Sequence, residues 1–144
     1  HVGRAIVRLL EGLDCRVQWV DERDEAFPRE PSAPHVERLC VEPAQAEVRA
    51  APPGAFYLVL THRHDLDLAI TLEIMKRGDF GFFGLIGSKT KRARFEHRLA
   101  ERGIAPALIE RMVCPIGVPG IAGKEPEVVA VAVVAQLLQR SGDP

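Results

Sequence analysis

The sequence predicts an α/β fold of the Rossmann-like, doubly wound kind, with a mostly parallel sheet. Helix-like and strand-like segments alternate along the 144 residues, with no internal repeat or low-complexity stretch. The strand candidates Phe56 to Thr61 and Phe80 to Ile86 are almost wholly apolar, as strands of a buried parallel sheet are. Polar motifs follow directly at strand ends, where open α/β sheets place ligands. The whole of residues 1–144 fits one domain with a real hydrophobic core.

Taken in order, Val2 to Leu10 puts Val2, Ala5, Ile6, Leu9 and Leu10 on one helical face, and Gly12 suits its end. Arg16 to Val20 reads as a strand closed by Asp21, and the proline- and charge-rich stretch from Glu22 to Pro34 as a loop. Val36 to Val41 is a second strand, followed by a short helix near Pro43 to Arg49. Pro52-Pro53-Gly54 makes a turn into the Phe56 strand. Asp65 to Arg77 is helical with Leu68, Leu72 and Met75 inward, Asp65 as cap and Gly78 as stop. The Phe80 strand leads to a helix from Lys89 to Arg102, then a short helix around Pro106 to Arg111 and a strand at Met112 to Cys114. The loop Pro115 to Gly123 precedes a final helix opening at Pro126, a favoured first helical residue. The segment Val128 to Leu138 is apolar nearly all round, which predicts deep burial or a subunit interface.

A doubly wound sheet that opens on a helix is expected to lack its first strand, normally a central one. His1-Val2-Gly3 reads as the tail of a G-x-G-x-x-G fingerprint, so the sequence is expected to be part of a longer chain. The missing strand would lie between Arg16–Val20 and Phe56–Leu60. An unrelated fold that happens to start at His1 is the other reading.

A net charge of −1, with 47% apolar and 27% charged residues, argues against general nucleic-acid or membrane binding. No apolar run is long enough to span a bilayer, and Arg4 and Arg8 interrupt Val2 to Leu10 as a signal segment. Cys15, Cys40 and Cys114 form no C-x-x-C pair, which suits reduced thiols of a cytoplasmic protein. Cys15 and Cys40 are expected in the core.

The most informative stretch is Gly84-Leu85-Ile86-Gly87-Ser88-Lys89-Thr90-Lys91-Arg92. A strand running through Gly87 and Ser88 into a helix presents free backbone N–H groups to an anion. Lys89, Lys91 and Arg92 oppose the helix dipole there, a cost of a few tenths of a kcal/mol or more each that a bound anion would offset. The alternative is a surface helix with solvated basic residues. The pattern differs from the P-loop G-x-x-x-x-G-K-[ST].

Gly3 precedes Asp21 with the spacing of a dinucleotide fold, in which the acid bonds a ribose diol. Asp21 is equally readable as a strand terminator, and Arg23 as a phosphate contact or an ion-pair partner. Thr61-His62-Arg63-His64-Asp65-Leu66-Asp67 fails the binuclear H-x-H-x-D-H pattern, and His62 is expected to line a crevice, with no metal assigned. Cys114, in Cys114-Pro115-Ile116-Gly117, is either a small buried residue or a thiol activated by Lys89 or Lys124. Gly120 and Gly123 give the loop before Lys124 room to approach a ligand closely, unless that loop is simply a flexible connection.

His1-Val2-Gly3, Thr61-His62, the Gly84 to Ser88 block with Lys91-Arg92, and Cys114-Pro115-Ile116-Gly117 together resemble the xanthine dehydrogenase accessory proteins of the XdhC/CoxI family, specifically their C-terminal Rossmann domain. The resemblance covers nearly the whole chain. It implies a chaperone-like maturation factor that binds the molybdenum cofactor, molybdopterin, and assists its sulfuration and insertion into hydroxylases such as xanthine or carbon monoxide dehydrogenase. It implies a molybdenum hydroxylase apoenzyme as partner and a cysteine desulfurase as a further one, and it establishes no turnover for such a carrier. The sequence departs from the family pattern C-P-I-G-L-x-I-G-G-K-[TS]-P-E at Val118-Pro119-Gly120-Ile121-Ala122-Gly123-Lys124-Glu125. Cofactor-binding candidates are therefore Gly3, Asp21, His62, Gly87, Ser88, Lys89, Lys91, Arg92, Cys114, Gly120, Gly123 and Lys124. A nicotinamide-dependent oxidoreductase binding NAD(P) through Gly3 and Asp21 is the alternative from another class. A ligand-free interaction module is a third, and a homo-oligomer is expected.

Overall fold

Parallel strands joined by helical crossovers make up the computed structural model, in which residues 1–142 are described. In chain order the elements are α1 (Val2–Leu10), β1 (Val17–Asp21), β2 (Val36–Cys40), β3 (Phe56–Val59), α2 (His64–Arg77), β4 (Phe82–Leu85), α3 (Lys89–Glu101), α4 (Pro106–Glu110), β5 (Met112–Val113) and α5 (Pro126–Ser141). Two short 3-10 turns, Asp24–Ala26 and Ala44–Ala50, complete them. The first falls in the segment expected to be all loop, and the second is the short helix expected near Pro43 to Arg49, wound as a 3-10 helix. This is an α/β, Rossmann-like architecture, as the alternation predicted. Among the described residues no helix is long and apolar enough to cross a membrane.

The chain forms two compact units. One joins His1–Ala44 to the residues from Gly117 onward, and the other is Gln45–Ile116. In the first unit β1 pairs in parallel with β2, Val17 opposite Val36 and Asp21 opposite Cys40. Helix α1 packs against α5, burying Ile6 and Val7 from the one and Ala130, Ala132, Val133 and Val134 from the other. Val131 and Leu138 of α5 stay exposed, so its all-round apolar character is only partly used. Cys40 is exposed and Cys15 half-buried, which corrects their placement in the core. Cys40 is the last residue of β2 and is exposed there, although it shares a strand face with buried Val36.

In the second unit the order is β3-β4-β5, with Phe56 opposite Phe82 and Phe83 opposite Met112. Its core holds Ile74, Met75, Phe83, Leu85, Leu99 and Met112. Complete burial of such side chains contributes roughly 1.5–3 kcal/mol each. All four residues of β4 are buried, which is why its sequence shows no alternation. Helix α2 ends as expected: Gly78 takes φ 68° and its N–H reaches the Ile74 carbonyl. Its start differs, because the cap position is held by Arg63 in extended conformation and Asp65 lies inside the first turn. Asp65 instead pairs with Arg63 at 2.9 Å, and that contact holds its carboxyl below the usual range.

Candidate functional site at the strand ends

Three parallel strands of the second unit bring their C-terminal ends to one edge of their sheet, which places three sequence motifs there: Thr61 to Arg63 after β3, Ile86 to Ser88 after β4, and Cys114 to Ile116 after β5. Helix α3 starts at that edge. Ser88 is its cap, extended at φ −115°, and its hydroxyl accepts the Lys91 N–H at 3.2 Å. The next bond of the ladder runs from Arg92 N–H to the Ser88 carbonyl at 2.9 Å. The N–H groups of Lys89 and Thr90 have no acceptor among the described residues, as first-turn donors do not unless something outside the helix supplies one. Gly87, Ser88, Lys89 and Thr90 are all exposed.

The three basic residues of this turn behave differently. Lys89 is exposed and in no ion pair among the described residues. Arg92 donates through Nη1 to the Cys114 carbonyl at 3.3 Å and meets Glu96 at 3.7 Å, tying α3 to the end of β5. Lys91 is only 7% exposed. Its Nζ lies 2.7 Å from Asp67 Oδ2 and 2.8 Å from the Ile86 carbonyl. A charge expected to face a ligand is thus neutralised inside the protein. Asp67 is fully buried, and its Oδ1 accepts from the Thr61 N–H at 3.0 Å and the Thr61 hydroxyl at 2.6 Å. Nothing in the sequence hints at this pair, because its members are far apart and Asp67 looks like one more polar residue of a histidine-rich motif.

His62 is exposed beside this network. Among the described residues, no three His, Cys, Asp or Glu side chains gather as a metal site would need. Cys114 is 2% exposed, with Sγ 3.8 Å from the Ser88 carbonyl. Burial pushes its thiol pKa up, against the opposing pull of Lys91 and Arg92. Of the two readings of this residue, the structure fits the small buried thiol.

The remaining candidates lie in the first unit. Gly3 is half-buried in α1, where an added Cβ would come 3.9 Å from Trp19 Nε1. Asp21 closes β1 as expected, but its Oδ1 accepts the Arg23 N–H at 2.9 Å and Arg23 Nε at 3.3 Å. Gly120, Gly123 and Lys124 are exposed in the loop before α5, and both glycines have positive φ. The inner end of that loop is fixed: Gln136, buried on α5, accepts the Gly117 N–H at 2.8 Å. An open cavity of about 620 Å³ lies beside the Glu22 to Pro34 loop, lined by Arg4, Asp24, Glu25, Arg38 and Cys40 among others. Its arginines serve the loop itself. Arg4 Nε donates to the Ala26 carbonyl at 2.8 Å and Arg38 Nη1 to the Pro28 carbonyl at 2.7 Å.

Residues 1–137 match the XdhC Rossmann domain family. The chain belongs to that family. This XdhC domain is also 28% identical to the uncharacterized protein YqeB of Escherichia coli (strain K12), over 96% of the chain and 25% of that protein. A crystal structure described as a xanthine dehydrogenase from Bacillus halodurans has the same fold, with a TM-score of 0.77 and 22% identity. The XdhC domain covers 97% of itself and 39% of that chain in the superposition. It therefore spans about a quarter of the one relative and about two fifths of the other.

Proposed function

We propose that this XdhC domain binds the molybdenum cofactor and acts in the cytoplasm as a carrier during maturation of molybdenum hydroxylases. The observation that carries this reading is the exposed start of α3. There a family block ends in two free N–H groups, Lys89 and Thr90, beside the exposed Lys89 ammonium. The pterin cofactor carries a phosphate or a dinucleotide pyrophosphate, which oriented amides and a cation suit. Gly87, Ser88, Lys89 and Arg92 would hold that anion, with His62 and Cys114 at the neighbouring strand ends. Gly3, Asp21, Gly120, Gly123 and Lys124 belong to the other unit and are candidates for cofactor contacts on their sequence pattern alone. When bound, the cofactor supplies the metal centre that the client apoenzyme lacks. Sulfuration of that centre would involve a cysteine desulfurase as a further partner.

Lys89→Pro tests the reading directly. Proline is tolerated at the first helical position, and Ser88 already has the extended conformation that a following proline favours. The substitution removes one N–H and the ammonium together while α3 stays intact. Protein from a cofactor-producing host should then carry about tenfold less pterin or lower still, by native mass spectrometry, since charge-assisted bonds are the strong ones. Unchanged occupancy would overturn the assignment.

A nicotinamide-dependent oxidoreductase is the second reading, favoured by Asp21 at the C-terminal end of β1. It requires saturable NAD(H) or NADP(H) binding that Asp21→Ala weakens, and hydride transfer to an acceptor. Binding without turnover would leave a carrier that keeps the nucleotide pocket of the fold.

A further inference from the structure

We infer that Asp67 and Lys91 are positioning residues of the candidate cofactor site, holding the β4–α3 turn against the β3–α2 turn without touching the ligand. The inference rests on the reading of the site given above. Lys91 is the third residue of α3, and its side chain doubles back over the turn that precedes the helix. A Cβ on Gly87 would lie 2.5 Å from Lys91 Cδ, so lysine stem and turn backbone are in direct contact. The ammonium is then held from three sides. Two N–H groups go to Asp67 Oδ2 at 2.7 Å and the Ile86 carbonyl at 2.8 Å. Its remaining side lies 5.4 Å from the centroid of the Phe95 ring. Asp67 is as fully engaged, with Thr61 on Oδ1 and Lys91 on Oδ2. One buried pair thereby laces together the end of β3, helix α2, the end of β4 and the first turn of α3.

Stability alone does not explain such a pair. Two buried charges pay a desolvation penalty, and apolar residues of similar volume often stabilise a site as well or better. What the pair supplies in addition is a fixed register between two turns, the best-attested use of a buried ionic contact. The turn it fixes is the one that aims the Lys89 and Thr90 N–H groups outward.

The direct and indirect roles of Asp67 predict opposite signs. If its charge acted on an anionic ligand, Asp67→Asn would remove a repulsion and raise cofactor occupancy. If it positions the turn, the same change lowers occupancy. Because Asp67→Asn leaves Lys91 buried without its partner, Asp67→Leu/Lys91→Met is the second variant, expected to fold because both charges go. The full chain would be produced in a cofactor-making host, and pterin per chain measured with amide hydrogen exchange at residue 91, whose N–H reports the Ser88 cap. Both variants should hold about tenfold less cofactor, the scale seen when a supporting partner of a ligand shell is lost. The double variant should also exchange the residue 91 amide about tenfold faster while unfolding cooperatively. Higher occupancy in Asp67→Asn, or parental exchange and occupancy in the double variant, would overturn the inference. If the unaltered chain carries no cofactor, the proposed function falls. The exchange rate then decides alone: faster exchange supports the positioning role and a parental rate overturns it.

Discussion

At Gly87 an added methyl group would meet Lys91 Cδ at 2.5 Å, and at Gly84 it would meet Ile116 Cδ1 at 2.4 Å. Both positions refuse a side chain, but what must yield differs. Ile116 is packed in the sheet edge, so Gly84→Ala is an overpacking substitution costing about 1–3 kcal/mol. At Gly87 the obstacle is a flexible stem whose far end is anchored by Asp67. Gly87→Ala should therefore carry a backbone cost from the φ of 158° in any background, and a further cost only while that anchor exists. Urea denaturation of Gly87→Ala, alone and in the Asp67→Leu/Lys91→Met background, should reveal a coupling of about 0.5–3 kcal/mol; additive effects would show that the stem is not held. Cys114 gives a second test at this scale. Its raised pKa means that the thiolate forms only above the ordinary thiol range, so the stability of the buried thiol is full below the ordinary range and is lost as pH rises from there through the raised value. Near neutral pH, iodoacetamide should label exposed Cys40 well before Cys114, read by peptide mass spectrometry. The sequence made the basic turn visible because Lys89, Lys91 and Arg92 are neighbours. It hid the fate of Lys91 because the deciding partner, Asp67, lies 24 residues away on another helix.

Helix ends were the most legible elements, since their signals are local. Gly78 closes α2 in the left-handed conformation and Pro126 opens α5, both where the sequence placed them. Strand ends were less so: β3 stops at Val59, short of the expected Thr61, and β4 spans Phe82–Leu85 within the expected Phe80 to Ile86. Apolar character continues past the last ladder bond, and only pairing defines where a strand stops. Gln136 was legible merely as a polar interruption of an apolar helix. Its role is to accept the Gly117 N–H, a contact between elements that no local pattern encodes. Gln136→Leu should leave that N–H unsatisfied and cost about 1–3 kcal/mol of stability. No loss of denaturation midpoint would mean that the bond is dispensable.

The strand edges differ in a way that bears on the whole molecule. β2 carries Glu37 and Arg38, and β5 has only two residues, both common protections of a free edge. β1 and β3 each pair on one side only among the described residues, and β3, Phe56-Tyr57-Leu58-Val59, carries no charge at all. An unguarded apolar edge templates further pairing. The isolated chain is therefore expected to associate with rising concentration by light scattering, and Phe56→Lys, at a position 41% exposed, should reduce that association. Association unchanged by the lysine would place the contact elsewhere. The fold class was readable from alternation alone, whereas the division into two units was not, because it depends on which distant helices meet.

That division sets an order of events during synthesis. Residues Gln45–Ile116 are contiguous, so their core can close as soon as they have left the ribosome. Helix α1 has no such independence, because α5, which covers it, starts only at Pro126. At translation rates of roughly 5–20 residues per second, the Ile6 and Val7 face of α1 waits on the order of ten seconds for its cover. During that interval this face of α1 lacks the helix that buries it and is open to a chaperone or to a wrong partner.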